Sequence, residues 1–242
     1  MKTCLIKQNA GIGDIFLCQK IAKLIQKETS YKNIIWPVLP EFSWIKDYLI
    51  DENINYINEE LEFPYKNIYE LNYIKPLRNE ELLYIPLYKS SWFLEGEVME
   101  TKFKVINSTS ENWQDFFTFK RNYEKENDLF YNKLNLTDET EFILINRRYS
   151  TKDYNGNISH KIENNKNIKT INLSYIDNYT LFDWCKVFEK AQEIHSVNTS
   201  INFILEKLKT TDKLFMYKRP EEDTNQFINE EYLFKKKYKR FL

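Results

Sequence analysis

The chain has 242 residues, of which 42% are hydrophobic, and its 35 basic and 36 acidic side chains leave a formal net charge of −1. This much apolar material can fill one large core or two small ones. The balanced charge argues against a nucleic-acid partner, because phosphate binding normally requires a basic excess. The three cysteines, Cys4, Cys18 and Cys185, fit neither a disulfide framework nor a zinc site, so a reducing, cytoplasmic environment is expected.

The sequence predicts no membrane segment. No run of residues is apolar and long enough to cross a bilayer, and the N-terminus lacks the apolar region and cleavage site of a signal peptide. A basic cluster, "FKKKYKRFL", ends the chain. We interpret it as part of a solvated helical tail, with an anionic ligand or lipid as the alternative partner.

The first half of the chain begins with a pattern of alternating strands and helices. The apolar run at 3–7 predicts a buried strand, and the helical spacing of apolar residues over 14–27 predicts a helix after it. A helix is also expected over 41–50. Further strands are predicted at 33–39, 54–58, 66–72 and 81–87.

The alternation restarts after an aromatic, mixed-charge stretch at 91–134, in which 111–134 is predicted to be helical, and after a linker-like segment at 135–141. Strands alternating with helices favour a mainly parallel sheet covered on both faces. We therefore predict an α/β fold of two Rossmann-like domains facing a cleft, residues 1–137 and 138–242. Strands are predicted at 142–146, 167–173, 193–197 and 213–217, helices at 179–191 and 199–208, and a helical end that could pack back on the first domain.

The motif "QNAGIGD" joins the first strand to the first helix and holds two of the four glycines in the chain, Gly11 and Gly13. A helix start presents free backbone N–H groups, and glycine allows a positive φ and close approach of a ligand. The dinucleotide fingerprint fails here because Phe16 stands where the third glycine belongs, and the triphosphate loop fails because no Lys-Ser/Thr follows Gly13. Asp14 is predicted either as a helix N-cap or as a catalytic carboxylate beside an acceptor hydroxyl.

The stretch "LIKQNAGIGDIFLCQKIAKLI" resembles the N-terminus of heptosyltransferase-type glycosyltransferases of the GT-B fold. In that family a strand leads to a Gly-Asp pair that opens the first helix. The resemblance implies that Asp14 is the general base for the acceptor hydroxyl, with Asn9, Gly11 and Gly13 in the loop on the acceptor side.

A second motif, "FDWCKVFEKAQEIHSVNTSINFILEKL", resembles the C-terminal signature of the same family, in which a strand ends in Asp-Thr/Ser and a helix begins at once. Thr199 and Ser200 are then expected to bind the pyrophosphate of a sugar nucleotide at the helix start. The sequence departs from the family at Asn198, where the usual Asp is absent, and at Asn202, in the place of a His. Taken alone, "NTS" is more typical of a plain helix cap than of a binding site.

The loop after the strand "FILIN" supplies the remaining candidate donor-binding residues, because basic and small polar side chains suit a diphosphate. Arg147, Ser150 and Lys152 are the candidates. His195 alternates with apolar neighbours in a predicted strand, which favours a buried structural histidine that could still reach the cleft. His160 lies in a polar loop with a weak indication of donor contact.

These patterns predict a glycosyltransferase that moves a sugar from a nucleotide sugar to a hydroxyl of a carbohydrate or glycoconjugate acceptor, with inversion implied by the resemblance. No cofactor or metal is expected, because the chain contains no Asp-x-Asp motif of the metal-dependent GT-A class. Two alternatives stay open: a Rossmann-type nucleotide-cofactor enzyme, either an oxidoreductase or a methyltransferase, and a non-catalytic sugar- or nucleotide-binding module.

Overall fold

The computed structural model describes residues 2–88, 94–95, 97–149, 152–153 and 168–242. The chain forms two compact units, Met1–Lys120 and Arg121–Leu242. Each unit is built around a five-stranded sheet. Within the described residues, no helix is both long and apolar enough to cross a membrane.

The first unit has a mixed sheet with strand order β3-β2-β1-β5-β4. Strands β1, β2, β3 and β5 run parallel, and the short β4 pairs antiparallel with β5. Parallel strands need helical crossovers, which place their carboxyl ends at one edge of the sheet. The strands are β1 (Thr3–Ile6), β2 (Asn33–Val38), β3 (Ile54–Asn58), β4 (Leu77–Arg78) and β5 (Leu82–Ile85).

The central strand β1 and the helix after it, α1 (Ile12–Glu28), form as the apolar pattern predicts. All four residues of β1 are buried, as expected for a strand with neighbours on both sides. Helix α1 buries a long apolar face that includes Phe16, which stacks on Phe117 with ring centroids 4.8 Å apart. The helix ends at Thr29, whose backbone N–H still donates to the carbonyl of Ile25.

Two elements of the first unit differ from the prediction. The segment 66–72 was expected as a strand, but Lys66–Glu70 forms a short helix, α2. There Tyr69 turns into the core beside Leu5 and Tyr84, so tertiary packing overrides strand propensity. The predicted helix at 41–50 is a 3₁₀ helix, Pro40–Asp47. The later elements of the unit are α3 (Val98–Lys104) and a 3₁₀ turn at Trp113–Asp115.

The second unit has a fully parallel sheet with strand order β12-β11-β10-β6-β9. Its strands are β6 (Phe142–Asn146), β9 (Lys169–Asn172), β10 (Glu193–Val197), β11 (Leu214–Tyr217) and β12 (Tyr238–Phe241), and a separate two-stranded ladder joins β7 (Arg148–Tyr149) to β8 (Lys152–Asp153). Its helices are α4 (Tyr123–Asn127), a π-helical turn (Asp128–Lys133), α5 (Cys185–Lys190), α6 (Ser200–Leu205) and α7 (Thr224–Asn229), with 3₁₀ turns at Leu181–Trp184 and Glu230–Leu233. The α/β class with parallel sheets agrees with the sequence prediction.

The division between the units falls before Arg121, earlier than the predicted boundary at 137/138. The reason is the packing of the helical segment that follows Arg121. Phe130 lies against Phe142 of β6, with ring centroids 6.2 Å apart, and Lys186 donates to the side chain of Asn127 at 2.8 Å. These contacts place the segment on the second sheet.

The end of the chain differs from the predicted helical tail. Helix α7 and a 3₁₀ turn are followed by β12, which pairs in parallel with β11 at the edge of the second sheet. Phe241 stacks on Tyr217 with ring centroids 5.0 Å apart, and this aromatic pairing fixes the strand on the sheet. The basic run therefore contains a β-strand.

Candidate functional site

The first candidate site lies where the central strand β1 turns into α1. Gly11 is the helix N-cap and adopts the left-handed conformation, with φ 75°. A Cβ atom at this position would collide with Oδ2 of Asp14, so the turn requires glycine for both its φ and its space. Gly13, in contrast, is the second residue of α1 and has helical backbone. Of the two glycines, only Gly11 has the positive φ that the sequence prediction expected in this turn.

Asp14 is the third residue of α1, and the hypothesis that it is the N-cap is wrong, because Gly11 holds that position. Its side chain is 23% exposed, and Oδ1 lies 3.3 Å from Nζ of Lys102, on α3. A carboxylate in the first turn is favoured by the helix dipole. Asp14 is therefore a half-buried carboxylate, held by one cation and open to solvent on another side.

Lys102 is a buried cation at this site, with a side chain only 4% exposed. Besides its ion pair with Asp14, Nζ donates to Oε1 of Gln8 at 2.6 Å and to the backbone carbonyl of Leu87 at 3.3 Å. Gln8 follows β1 and its own amide donates to the carbonyl of Ala10 at 2.5 Å. Three segments at the carboxyl edge of the first sheet thus converge on one ammonium group.

Asn9 belongs to a neighbouring polar network at the same edge. Its Nδ2 donates to Oε2 of Glu59, just after β3, at 2.8 Å, and the hydroxyl of Tyr69 donates to the same oxygen at 2.5 Å. Burial and this hydrogen bond to Glu59 raise the pKa of Tyr69. Oδ1 of Asn9 is buried without a hydrogen-bond partner among the described residues. The sequence prediction of Asn9 as a loop residue of the site stays open, with a free acceptor on its side chain.

The second candidate site lies where β10, the central strand of the second sheet, turns into α6. Thr199 is the N-cap in extended conformation and makes no capping hydrogen bond with its side chain, and Ser200 is the first helical residue. Both are partly exposed. The two residues predicted for donor binding thus lie, partly exposed, at this edge.

Asn198 lies directly before Thr199 but is buried and already engaged. Its Nδ2 donates to Oε1 of Glu222 at 2.5 Å and reaches Oε2 of Glu230 at 3.4 Å. Burial raises the pKa of Glu230, and the charge of nearby Glu222 acts in the same direction. The side-chain amide nitrogen of Asn198 is therefore within hydrogen-bonding distance of two buried carboxylates.

The loop after β6 carries Arg147, which is partly buried. The loop is shaped by Asn146, whose Oδ1 accepts from the backbone N–H of Arg148 at 3.1 Å and whose Nδ2 donates to Oγ of Ser196 at 3.1 Å. Nε of Arg147 is buried without a hydrogen-bond partner among the described residues. An unsatisfied buried guanidinium N–H is costly, which makes Arg147 a candidate for pairing with an anion.

The other predicted residues lie in β8, in β10 or outside the described residues. Lys152 lies in β8, and Ser150 and His160 lie outside the described residues. His195 is fully buried in β10, where Nδ1 lies 2.8 Å from the hydroxyl of Tyr217 and the ring stacks on Phe215 with centroids 4.2 Å apart. Burial lowers the pKa of His195. The prediction of a structural histidine in the sheet agrees with these contacts.

Within each unit the predicted residues converge on one sheet edge. Asn9, Gly11 and Asp14 cluster after β1, and Arg147, Asn198 and Thr199 follow two neighbouring strands, β6 and β10. No group of three or more His, Cys, Asp or Glu side chains among the described residues is arranged to hold a metal ion.

Neither Lys102 nor Glu59 was predicted from the sequence as a site residue. A lysine in a mixed-charge helix is normally exposed, and only the tertiary packing of α3 against α1 buries Lys102. Glu59 follows a strand whose end has no marked motif. The position of Glu59 after a predicted parallel strand was the one usable signal, since such strand ends meet at one edge.

The sequence matches no family model and no curated protein. Solved structures are similar to it in fold. E. coli ADP-heptose lps heptosyltransferase II aligns over 100% of this chain and 90% of its own, with TM-score 0.57 and 11% identity. A glycosyl transferase family 9 protein from Veillonella parvula aligns over 90% and 80%, with TM-score 0.47 and 10% identity, and E. coli heptosyltransferase WaaC with ADP over 92% and 89%, with TM-score 0.46 and 10% identity.

At these identities the similarity concerns the fold. The match to heptosyltransferase II extends over the whole chain, and it agrees with two α/β units that each carry a mainly parallel sheet. The chain therefore has the GT-B-like α/β fold that its sequence predicts, and it shares that fold with a heptosyltransferase.

Proposed function

We propose that this chain is a glycosyltransferase that moves a sugar from a nucleotide-sugar donor to a hydroxyl of a carbohydrate or glycoconjugate acceptor, in the cytoplasm, without a metal ion and with inversion at the anomeric carbon. The observation that carries the proposal is the partly exposed carboxylate of Asp14 at the start of α1, in a fold shared with a heptosyltransferase. A general base must be ionised, positioned and reachable by the hydroxyl from which it takes a proton.

In the proposed step the acceptor oxygen bonds to the anomeric carbon of the donor sugar. The bond from that carbon to the diphosphate oxygen breaks, and the nucleoside diphosphate leaves with the electron pair. The proton of the acceptor hydroxyl passes to Asp14. Attack on the face opposite the leaving group inverts the anomeric configuration.

The second unit would hold the donor and stabilise the leaving diphosphate. The support is Nε of Arg147, buried without a hydrogen-bond partner among the described residues, and the partly exposed residues Thr199 and Ser200. Arg147 directly follows β6, and Thr199 and Ser200 follow the neighbouring strand β10. Positioned N–H groups stabilise developing charge without reorganisation during the reaction. Lys152, Ser150 and Asn198 complete the proposed donor site, Asn198 by holding the loop through Glu222.

The test begins with the donor. A thermal-shift panel of ADP-, UDP- and GDP-sugars, with NAD and S-adenosylmethionine included, should show stabilisation by a nucleotide sugar, because a ligand of the folded state raises its stability. Stabilisation by NAD or S-adenosylmethionine alone would favour a Rossmann-type cofactor enzyme instead. No shift with any nucleotide sugar at high concentration would remove the support for a donor site.

Catalysis is then tested with Asp14→Asn and the stabilising nucleotide sugar, by measuring release of nucleoside diphosphate with simple glycosides as acceptors. The rate should fall by roughly 10²- to 10⁴-fold, the range for loss of a general base, with donor binding unchanged. Glu28→Gln, at the exposed far end of α1, is the matched control and should keep the wild-type rate. Wild-type transfer by Asp14→Asn would contradict the assignment.

Metal independence has its own test. Addition of EDTA should leave the transfer rate unchanged, since the proposed site stabilises the diphosphate with side chains and backbone N–H groups. A rate that is lost in EDTA and restored by Mg²⁺ or Mn²⁺ would show that a metal takes part.

A further inference from the structure

Lys102 presents a problem of charge burial that the proposed function leaves unexplained. An ammonium group is costly to bury, and it is tolerated only where paired and fully hydrogen-bonded. Its side chain is 4% exposed, yet α3 offers exposed positions for lysine, as Lys104 shows two residues later. A buried cation in this place therefore calls for a role that an exposed one cannot fill.

The surroundings of Lys102 show what it can do. Lysine has three N–H donors, and three oxygens of described residues surround Nζ: Gln8 Oε1 at 2.6 Å, the Leu87 carbonyl at 3.3 Å and Asp14 Oδ1 at 3.3 Å. Nζ donates hydrogen bonds to Gln8 and Leu87 and forms an ion pair with Asp14, so protein oxygens surround the ammonium group. A buried group in this position would act on a substrate through one of these partners.

Two of the three partners are neutral oxygens, which hold the ammonium group in place and carry no charge that it could orient. The amide of Gln8 is itself anchored, because Nε2 donates to the carbonyl of Ala10 at 2.5 Å. The Leu87 carbonyl follows β5, which pairs with β1. The ammonium is thus tied to the strand ends of the sheet, and Asp14 is its one charged partner among the described residues.

The carboxylate of Asp14 is also restricted on its other side. Oδ2 lies so close to the Cα of Gly11 that no Cβ would fit there. Oδ1 faces Lys102 and Oδ2 lies over the left-handed turn, so the plane of the carboxylate is defined from two sides.

We infer that Lys102 is a positioning residue for Asp14: it orients the carboxylate through Oδ1 and leaves Oδ2 to accept the proton of the acceptor hydroxyl. This inference rests on the proposed function, because it assigns Lys102 a part in that reaction. It predicts that Lys102 affects the rate of transfer only while residue 14 is a carboxylate.

The test is a double-mutant cycle with Asp14→Asn and Lys102→Met, read by release of nucleoside diphosphate from the nucleotide sugar that stabilises the protein. In the wild-type background Lys102→Met should lower kcat by about 10- to 100-fold, as coupled neighbours do, with KM for the donor unchanged. Lys102→Arg should recover most of the loss. In the Asp14→Asn background Lys102→Met should cost nothing further.

Folding is checked by thermal unfolding, with Lys104→Met on the exposed face of α3 as the matched control. If Lys102→Met does not fold, Lys102→Gln replaces it in the cycle, because it keeps a donor for Gln8 and removes the charge. An equal loss of kcat in both backgrounds, or no loss in either, would overturn the inference while leaving the glycosyltransferase proposal intact. A wild-type protein with no transfer or hydrolysis of any nucleotide sugar would instead remove the proposed function, and the inference with it.

Discussion

In both sheets, polar side chains cluster where the central strand turns into a helix. The two clusters differ in how their buried charged groups are paired. After β1, the cation of Lys102 is matched with a carboxylate and two neutral oxygens. After β10 and β6, Asn198 is matched with two carboxylates, while Nε of Arg147 has no hydrogen-bond partner among the described residues. At the first junction, between β1 and α1, the buried cation is paired with a carboxylate. At the second junction, where β6 and β10 end, a buried cationic donor has no hydrogen-bond partner among the described residues.

The helices at the two junctions also differ, in their length and in their packing. Helix α1 has 17 residues and is covered by α3, whereas α6 has six residues and a Thr199 cap without a side-chain hydrogen bond. A longer, packed helix fixes the direction of a carboxylate in its first turn. A short one offers little dipole, so the proposed anion binding at the second junction would depend mainly on side chains.

The largest expected effect tests the paired carboxylates of the second junction. Asn198→Asp would place a third carboxylate against Glu222 and Glu230, so the free energy of unfolding should fall by about 3 kcal/mol or more at neutral pH. Chemical denaturation measures the change, and the loss should shrink at acidic pH as the carboxylates take up protons. Asn172→Asp, exposed at the end of β9, is the matched control. A fully stable Asn198→Asp protein would show that these carboxylates do not face the residue.

The next effect tests the turn at the first junction. Gly11→Ala should lower transfer by about 100-fold, because the new Cβ displaces the carboxylate of Asp14. It should also cost roughly 1 to 2 kcal/mol of stability for the left-handed backbone. Gly11→Asn separates the two causes, since Asn tolerates this backbone but has the same Cβ. It should be more stable than Gly11→Ala and equally slow, and a fast Gly11→Asn enzyme would refute the steric argument.

A smaller effect tests Nε of Arg147, which has no hydrogen-bond partner among the described residues. Arg147→Gln should weaken binding of the nucleotide sugar by about 10-fold, the lower end of the effect of a charged hydrogen bond. Titration calorimetry with the nucleoside diphosphate measures it. Arg148→Gln, next in the chain but exposed, should bind nearly as well as wild type. Equal losses in both variants would indicate a general charge effect rather than a site at Arg147.

The smallest effect concerns pH. Burial and the charge of Glu222 raise the pKa of Glu230, so the folded state holds its proton more tightly than the unfolded state. Stability from this group is then present at low pH and is lost as pH rises from the ordinary glutamate pKa through the folded one. Glu230→Gln should therefore gain stability relative to wild type as pH rises through this window, measured by denaturant unfolding. A difference that does not change with pH would mean that Glu230 does not titrate as these contacts imply.

The sequence predicted the central elements well because they carry strong local signals. The strands β1 and β6 are buried and largely apolar, β10 carries apolar Ile194 and Val197 among polar residues, and α1 has a regular helical spacing of apolar residues. Segment 66–72 has strand-like composition but forms α2, since Tyr69 is drawn into the core and hydrogen-bonded to Glu59. The C-terminal tail has helical composition as far as α7, yet stacking of Phe241 on Tyr217 makes its end a strand.

For the candidate sites, the sequence by itself determined the positions of Asp14, Arg147 and Thr199, because each follows a recognisable strand and glycine or hydroxyl residues mark the turns. Only the tertiary structure decided which side chains surround them. Lys102 reaches Asp14 from far along the chain, and Glu222 reaches Asn198 from beyond the next strand. Local sequence fixes backbone direction, whereas the pairing of buried charges depends on which distant segments the packed core brings within a few ångströms of one another.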